Sequence, residues 1–145
     1  MENYTKYKLK AVDELEALLA DKDNLFVIAC NKCFKEFETM QEPDCDAFAQ
    51  IAADNGKTVV GSAQVDFLCN KTQTVKVLPD LIPDDAQCVF VCACGLGIQT
   101  VAEIADLPVY AASNSINYTG HHGMALTKKA CDACAQCYLN ITGGI

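Results

Sequence analysis

Two short and almost wholly apolar stretches, Leu25-Phe-Val-Ile-Ala-Cys30 and Gln87-Cys-Val-Phe-Val-Cys92, do most to limit what this chain can become. Apolar runs of that length, without polar alternation, read as strands covered on both faces, and such strands belong to parallel sheets. Thr58-Val-Val-Gly-Ser supplies another strand between them, and Leu107 to Ala111 a fourth. Helical patterns separate the strands. Ala11 to Leu19 sets Val12, Leu15, Leu18 and Leu19 at helical spacing before the polar break Asp21-Lys-Asp-Asn24. Pro43-Asp44 opens a helix with Phe48, Ile51 and Ala52 inward, and Asn55-Gly56 stops it. Gly95-Leu-Gly-Ile-Gln-Thr-Val-Ala-Glu opens a further helix carrying Ile98, Val101, Ala102 and Ile104. Strands alternating with helices imply right-handed crossovers. The expected fold is therefore an α/β three-layer sandwich with a mostly parallel, four-stranded sheet of Rossmann or flavodoxin-like type. The 145 residues form one domain, 1–145, in which the stretch from about 120 to 145 is a cysteine-rich carboxyl-terminal appendage without strand pattern.

Composition narrows the function. A formal net charge of −8, with no cluster of lysine or arginine to offset it, argues against binding a phosphate backbone. No run approaches the roughly 18 apolar residues that a membrane helix needs. The opening residues are polar and charged, with no apolar stretch of signal-peptide length behind them. The expected compartment is the cytoplasm, without nucleic-acid or membrane partners. A chain that is 51% hydrophobic has no need of disulfides to hold its core. In a reducing compartment, closely spaced cysteines read as metal or redox chemistry instead.

Cysteine is the residue this chain uses unusually, ten times. Thiolate sulfur is the soft ligand of iron–sulfur clusters and of zinc, and short spacings let one turn present two sulfurs to one centre. Cys30-Asn-Lys-Cys33 begins at the carboxyl end of the first buried strand, and Cys94 follows the third; Cys69 lies in Val65-Asp-Phe-Leu-Cys69, after the second. Open α/β sheets bind ligands beyond the carboxyl ends of their strands, so these four can converge on one edge. Four thiolates suit a [4Fe–4S] cluster or a tetrahedral zinc. Gly95 and Gly97, just after Cys94, leave room for a cofactor against the backbone, and their N–H groups are candidate donors to cluster sulfurs at a helix N-terminus. A second group, Cys131-x-x-Cys134-x-x-Cys137, has the spacing with which ferredoxins grip three corners of one cubane, or else is a cysteine-decorated amphipathic helix.

Each of these has a plainer counterpart. Cys88 and Cys92 share a strand face with Phe90 and read as small core residues, and Cys45 in a first helical turn reads as structural or idle. Gly95-x-Gly lacks the third glycine of a dinucleotide loop, where Thr100 stands. His121-His122, between Gly120 and Gly123, reads as a solvated turn rather than a zinc site. Two functional alternatives stay open beside the iron–sulfur one: a structural zinc scaffold, and an enzyme, either a thiol–disulfide oxidoreductase working through Cys30-x-x-Cys33 or a folate- or methyl-transferring protein in its own right.

Cys92-Ala-Cys-Gly-Leu-Gly-Ile-Gln-Thr-Val-Ala-Glu103, then Leu107-Pro-Val-Tyr110, then Cys131-x-x-Cys-x-x-Cys-Tyr-Leu-Asn-Ile-Thr-Gly-Gly-Ile145, resembles the small iron–sulfur subunit of bacterial methylenetetrahydrofolate reductases, the methylenetetrahydrofolate reductase C-terminal family. The likeness runs from about Leu25 onward. It implies an accessory subunit that carries iron–sulfur clusters and sometimes zinc. The implied partner is a flavin-bearing (β/α)₈ barrel that reduces methylenetetrahydrofolate, and a homo-oligomer is compatible with that role. By motif, Cys30, Cys33, Cys94, Cys131, Cys134 and Cys137 inherit the ligand expectation, and Cys69 joins them on placement. The family pattern continues Gly-Gly-Ile-Cys-Pro, whereas these residues end on Ile145. Either the chain is shortened, or its carboxyl-terminal site has lost its fourth protein ligand, to be completed by a nearby cysteine, a histidine or a partner chain, or left empty.

Overall fold

In the computed structural model the described residues are 6–33, 37–38 and 44–117. A helix, α1 (Val12–Leu19), leads into β2 (Leu25–Cys30), and α2 (Asp44–Asp54) leads into β5 (Val59–Val65). Then α3 (Lys71–Leu81), β6 (Cys88–Cys92), α4 (Gly95–Ile104) and β7 (Val109–Ala111) complete the alternation. Four further strands lie outside it: β1 (Lys6–Leu9), the two-residue strands β3 (Lys32–Cys33) and β4 (Phe37–Glu38), and β8 (Ser113–Asn117).

The main sheet runs β5-β2-β6-β7, with every neighbouring pair parallel. The expected α/β three-layer architecture is the one observed. Every residue of β2 and of β6 is buried, which is why both appear in the sequence as unbroken apolar runs. Right-handed crossovers put α2 on one face and α3 and α4 on the other; α1 packs beside α2, and α3 beside α4. Strand alternation divides the core accordingly. Val27 and Phe90 are in register, and Phe48 of α2 stacks on Phe90 with ring centroids 4.9 Å apart. Phe26, Ile28 and Cys30 turn to the opposite face, where Phe26 meets the Pro83 that follows α3 across Gly61. Burying each phenylalanine contributes about 1.5–3 kcal/mol.

The boundaries differ from the sequence expectation in ways the packing explains. β5 runs on to Val65, because its outer residues alternate between half-buried and exposed at the sheet edge. Val12, at the head of α1, is 54% exposed, whereas Leu15 and Leu19 are fully buried. Gly56 ends α2 with φ +70°, a left-handed turn that favours glycine. The helix α3 and the antiparallel ribbon β1–β8 have no counterpart in the sequence reading. The appendage from about 120 to 145, with Cys131, Cys134, Cys137 and His121-His122, lies outside the described residues.

Candidate functional site

The order β5-β2-β6-β7 fixes where a ligand site belongs. From β2 the chain crosses to β5 on one side, then returns past β2 to β6 on the other. The loops leaving β2 and β6 therefore part in opposite directions, and the crevice between their carboxyl ends is the switch point of the sheet. Cys30 is the last residue of β2, and Cys94 stands two residues beyond the end of β6. Cys69 closes the turn after β5. Cys33 ends the short strand β3, paired in backbone register with Phe37, and its side chain is outside the described residues.

Cys30 is 8% exposed and lies on the α3–α4 face of the sheet; Cys69 and Cys94 are half-buried. Cys94 is the N-cap residue of α4, and Cys69 immediately precedes Asn70, the N-cap of α3, whose side chain accepts from the Gln73 N–H at 3.2 Å. Both helices thus point their positive ends at this edge, and neither carries an acidic residue in its first turn. Among the described residues, no three His, Cys, Asp or Glu side chains are gathered into a metal-holding group.

The Cys69 turn is held by the helix that follows it. Thr74 donates its hydroxyl to the Leu68 carbonyl at 3.0 Å, and the Gln73 amide donates to the Asp66 carbonyl at 3.2 Å. Phe67 between them adopts φ +57°, a conformation that costs a non-glycine residue about 1 kcal/mol and persists only where such bonds enforce it. Gly97 joins this turn to the Cys94 loop. A Cβ there would fall 2.9 Å from the Ala93 Cβ and 3.4 Å from the Leu68 Cβ, so the absence of a side chain lets α4 close on the residues that precede Cys94 and Cys69. Gly95 is engaged as well: its N–H donates to Ser115 Oγ at 2.9 Å. The space beside Gly97 and the N–H of Gly95 are thus used within the chain itself.

The cysteines read as core are core. Cys88 and Cys92 are buried beside Phe90, and Cys45 is buried on α2 with its sulfur 3.7 Å from the Ala63 carbonyl. Burial pushes the Cys88 thiol pKa up, partly countered by the ammonium of Lys22, which sits 4.4 Å above the Tyr110 ring. Three residues of the site escaped the sequence reading. Tyr7 donates its hydroxyl to the Cys30 carbonyl at 2.8 Å. Ser113 accepts from the Ala93 N–H at 2.9 Å and donates to the Ala93 carbonyl at 2.8 Å; Ser115 is the third. The alternation Ser113-x-Ser115 directly after a predicted strand is the signal that could have flagged the two serines.

The chain matches no family model, no curated protein and no solved structure. The likeness to the methylenetetrahydrofolate reductase C-terminal family rests on its quoted motifs alone. No helix among the described residues is long and apolar enough to cross a membrane.

Proposed function

We propose that this chain is an iron–sulfur accessory subunit, serving a flavin-bearing methylenetetrahydrofolate reductase in the one-carbon metabolism of the cytoplasm. One observation carries the reading: cysteines follow the carboxyl ends of three adjacent parallel strands, two of them flanking the switch point. The donor set fits the group by its chemistry, being all sulfur, and two of the four cysteines, Cys69 and Cys94, lie at the positive ends of helices. Cys30, Cys33, Cys69 and Cys94 would hold a [4Fe–4S] cluster there, which when bound supplies one-electron chemistry. The chain's own contribution is to place Cys30, Cys69 and Cys94 at one edge of the sheet, Cys30 buried and the other two half-buried. Cys131, Cys134 and Cys137 belong to the proposal as a second grip, supported by spacing alone.

Oxygen-free purification followed by iron, zinc and acid-labile sulfide analysis tests this. The expected result is about four iron and four sulfide per occupied site, with broad visible absorbance that Cys94→Ala abolishes and Cys45→Ala keeps. Colourless, chelator-sensitive zinc at about one per site would establish the scaffold alternative instead. A chain with neither metal sinks both. Mixing with a purified flavin-bearing reductase subunit should give a complex on gel filtration.

A further inference from the structure

The ribbon β1–β8 crosses the sheet edge where the cysteines lie, and one face of it carries three hydroxyls, those of Tyr7, Ser113 and Ser115, beside Leu9. Tyr7 and Ser115 stand directly opposite each other in its register, as do Leu9 and Ser113. From that shared face Tyr7 reaches the carbonyl of Cys30, at the end of β2. Ser115 reaches the N–H of Gly95, one residue past Cys94. Ser113 takes both backbone groups of Ala93, one residue before Cys94. The backbone ladder between β6 and β7 ends with the Ala112 N–H donating to Val91. Beyond that point the two serine hydroxyls, two residues apart, continue it against residues 93 and 95. Cys94 is thereby gripped on both sides, and the same cross-strand pair ties down Cys30.

We infer that the Tyr7–Ser115 pair, with Ser113, is a positioning device that fixes the two cysteine loops of the switch point relative to each other. The inference rests on the reading that these cysteines hold a metal centre, and it supplies what that reading lacks: a reason why two loops leaving in opposite directions keep one spacing. Cluster properties respond to small changes in sulfur placement and in the hydrogen bonds around it. Tyr7 and the serines touch backbone next to the ligands, so their effect is transmitted through Cys30 and Cys94.

The test uses the full chain and three variants, Tyr7→Phe, Ser115→Ala and Ser115→Thr. In metal-free protein, site-resolved alkylation followed by mass spectrometry reads each thiol, and buried Cys88 serves as the internal gauge of global opening. Losing one hydrogen bond, part-buried at Ser115 and buried at Tyr7, should raise Cys94 labelling in Ser115→Ala, and Cys30 labelling in Tyr7→Phe, by about ten-fold, with Cys88 unchanged. Ser115→Thr, which keeps the hydroxyl, should restore the wild-type rate. In metal-loaded protein, Ser115→Ala and Tyr7→Phe should shift the paramagnetic resonance of the reduced centre while Ser115→Thr leaves it in place. Equal rises at Cys88 and Cys94 would mean general destabilisation and would overturn the inference. So would variants whose alkylation and resonance both match wild type. If wild-type protein binds no metal, the functional reading fails on its own, and the alkylation pattern alone decides the positioning role.

Discussion

Replacing Gly97 with alanine places one methyl group where the fold has no room for it. The new carbon would sit 2.9 Å from the Cβ of Ala93 and 3.4 Å from that of Leu68. Ordinary carbon–carbon contact is about 3.5–4.0 Å. Both opposing atoms are β-carbons, fixed to the backbone, so no rotamer change relieves the clash; α4 has to lift away from the end of β6. Overpacking of this kind costs about 1–3 kcal/mol, and the rigidity of both neighbours places Gly97→Ala in the upper half of that range. Alanine returns about 1 kcal/mol through its better helix propensity. The expected net loss is about 1–2 kcal/mol. With a urea m-value of about 2 kcal/mol/M, the unfolding midpoint should fall by about 0.5–1 M at unchanged slope. Gly56→Ala makes the informative comparison. Gly56 has open space around its Cα but φ +70°, so alanine there is strained by about 1–2 kcal/mol through the backbone alone. Asparagine tolerates that conformation, so Gly56→Asn should recover much of the loss, whereas Gly97→Asn should fare worse than Gly97→Ala. A Gly97→Ala protein as stable as wild type would refute the steric argument and return Gly97 to the role of making room for a bound group.

Other consequences are open to direct measurement. Phe48→Ala removes a fully buried ring stacked on Phe90, and thermal and urea unfolding should register a loss of about 3–5 kcal/mol. Ser113→Ala strips the side-chain partner from two backbone groups of buried Ala93, which should cost about 1–3 kcal/mol in urea unfolding and leave α2 and β5 intact by hydrogen exchange. The Cys88 thiol has its pKa raised by burial. Its contribution is therefore fully present below the unfolded thiol value and is lost as pH rises through the folded one, because the unfolded state ionises first. The stability difference between wild type and Cys88→Ala, followed by urea titration from neutral to strongly alkaline pH, should shift against wild type; a difference that stays constant would show that no raised thiol is present.

How legible this molecule is depends on how local its interactions are. β2 and β6 announce themselves because burial on both faces leaves no polar residue in them, and the cysteines at their ends follow from the same runs. The helix α3 is hidden for the opposite reason. It buries Thr74 and Leu78, leaves Val75 49% exposed, and carries Pro79 near its end, so no apolar stripe marks it and the proline resembles a stop. The ribbon is hidden by distance: Lys6–Leu9 and Ser113–Asn117 are short and mostly polar, and each makes sense only against the other. At the site, the cysteines could be placed from strand ends, but Tyr7, Ser113 and Ser115 could not, since their partners are backbone atoms far away in sequence. Gly97 shows a subtler failure. A glycine beside a cysteine suggests space for a ligand, while here the space is taken by Ala93 and Leu68.

The ribbon also carries a consequence for the order of assembly. Lys10 on its near side reaches Asn114, 104 residues further along the chain. Closing so large a loop is entropically unfavourable until the intervening sheet has already brought the two segments together. The ribbon should therefore be among the last parts to gain protection in pulsed hydrogen exchange, after β2 and β6. On a ribosome, residues 6–9 wait for residue 117 before they find their partner. The loops that bear Cys30 and Cys94 stay untied for that interval, so their mutual spacing is among the last features of the molecule to be set.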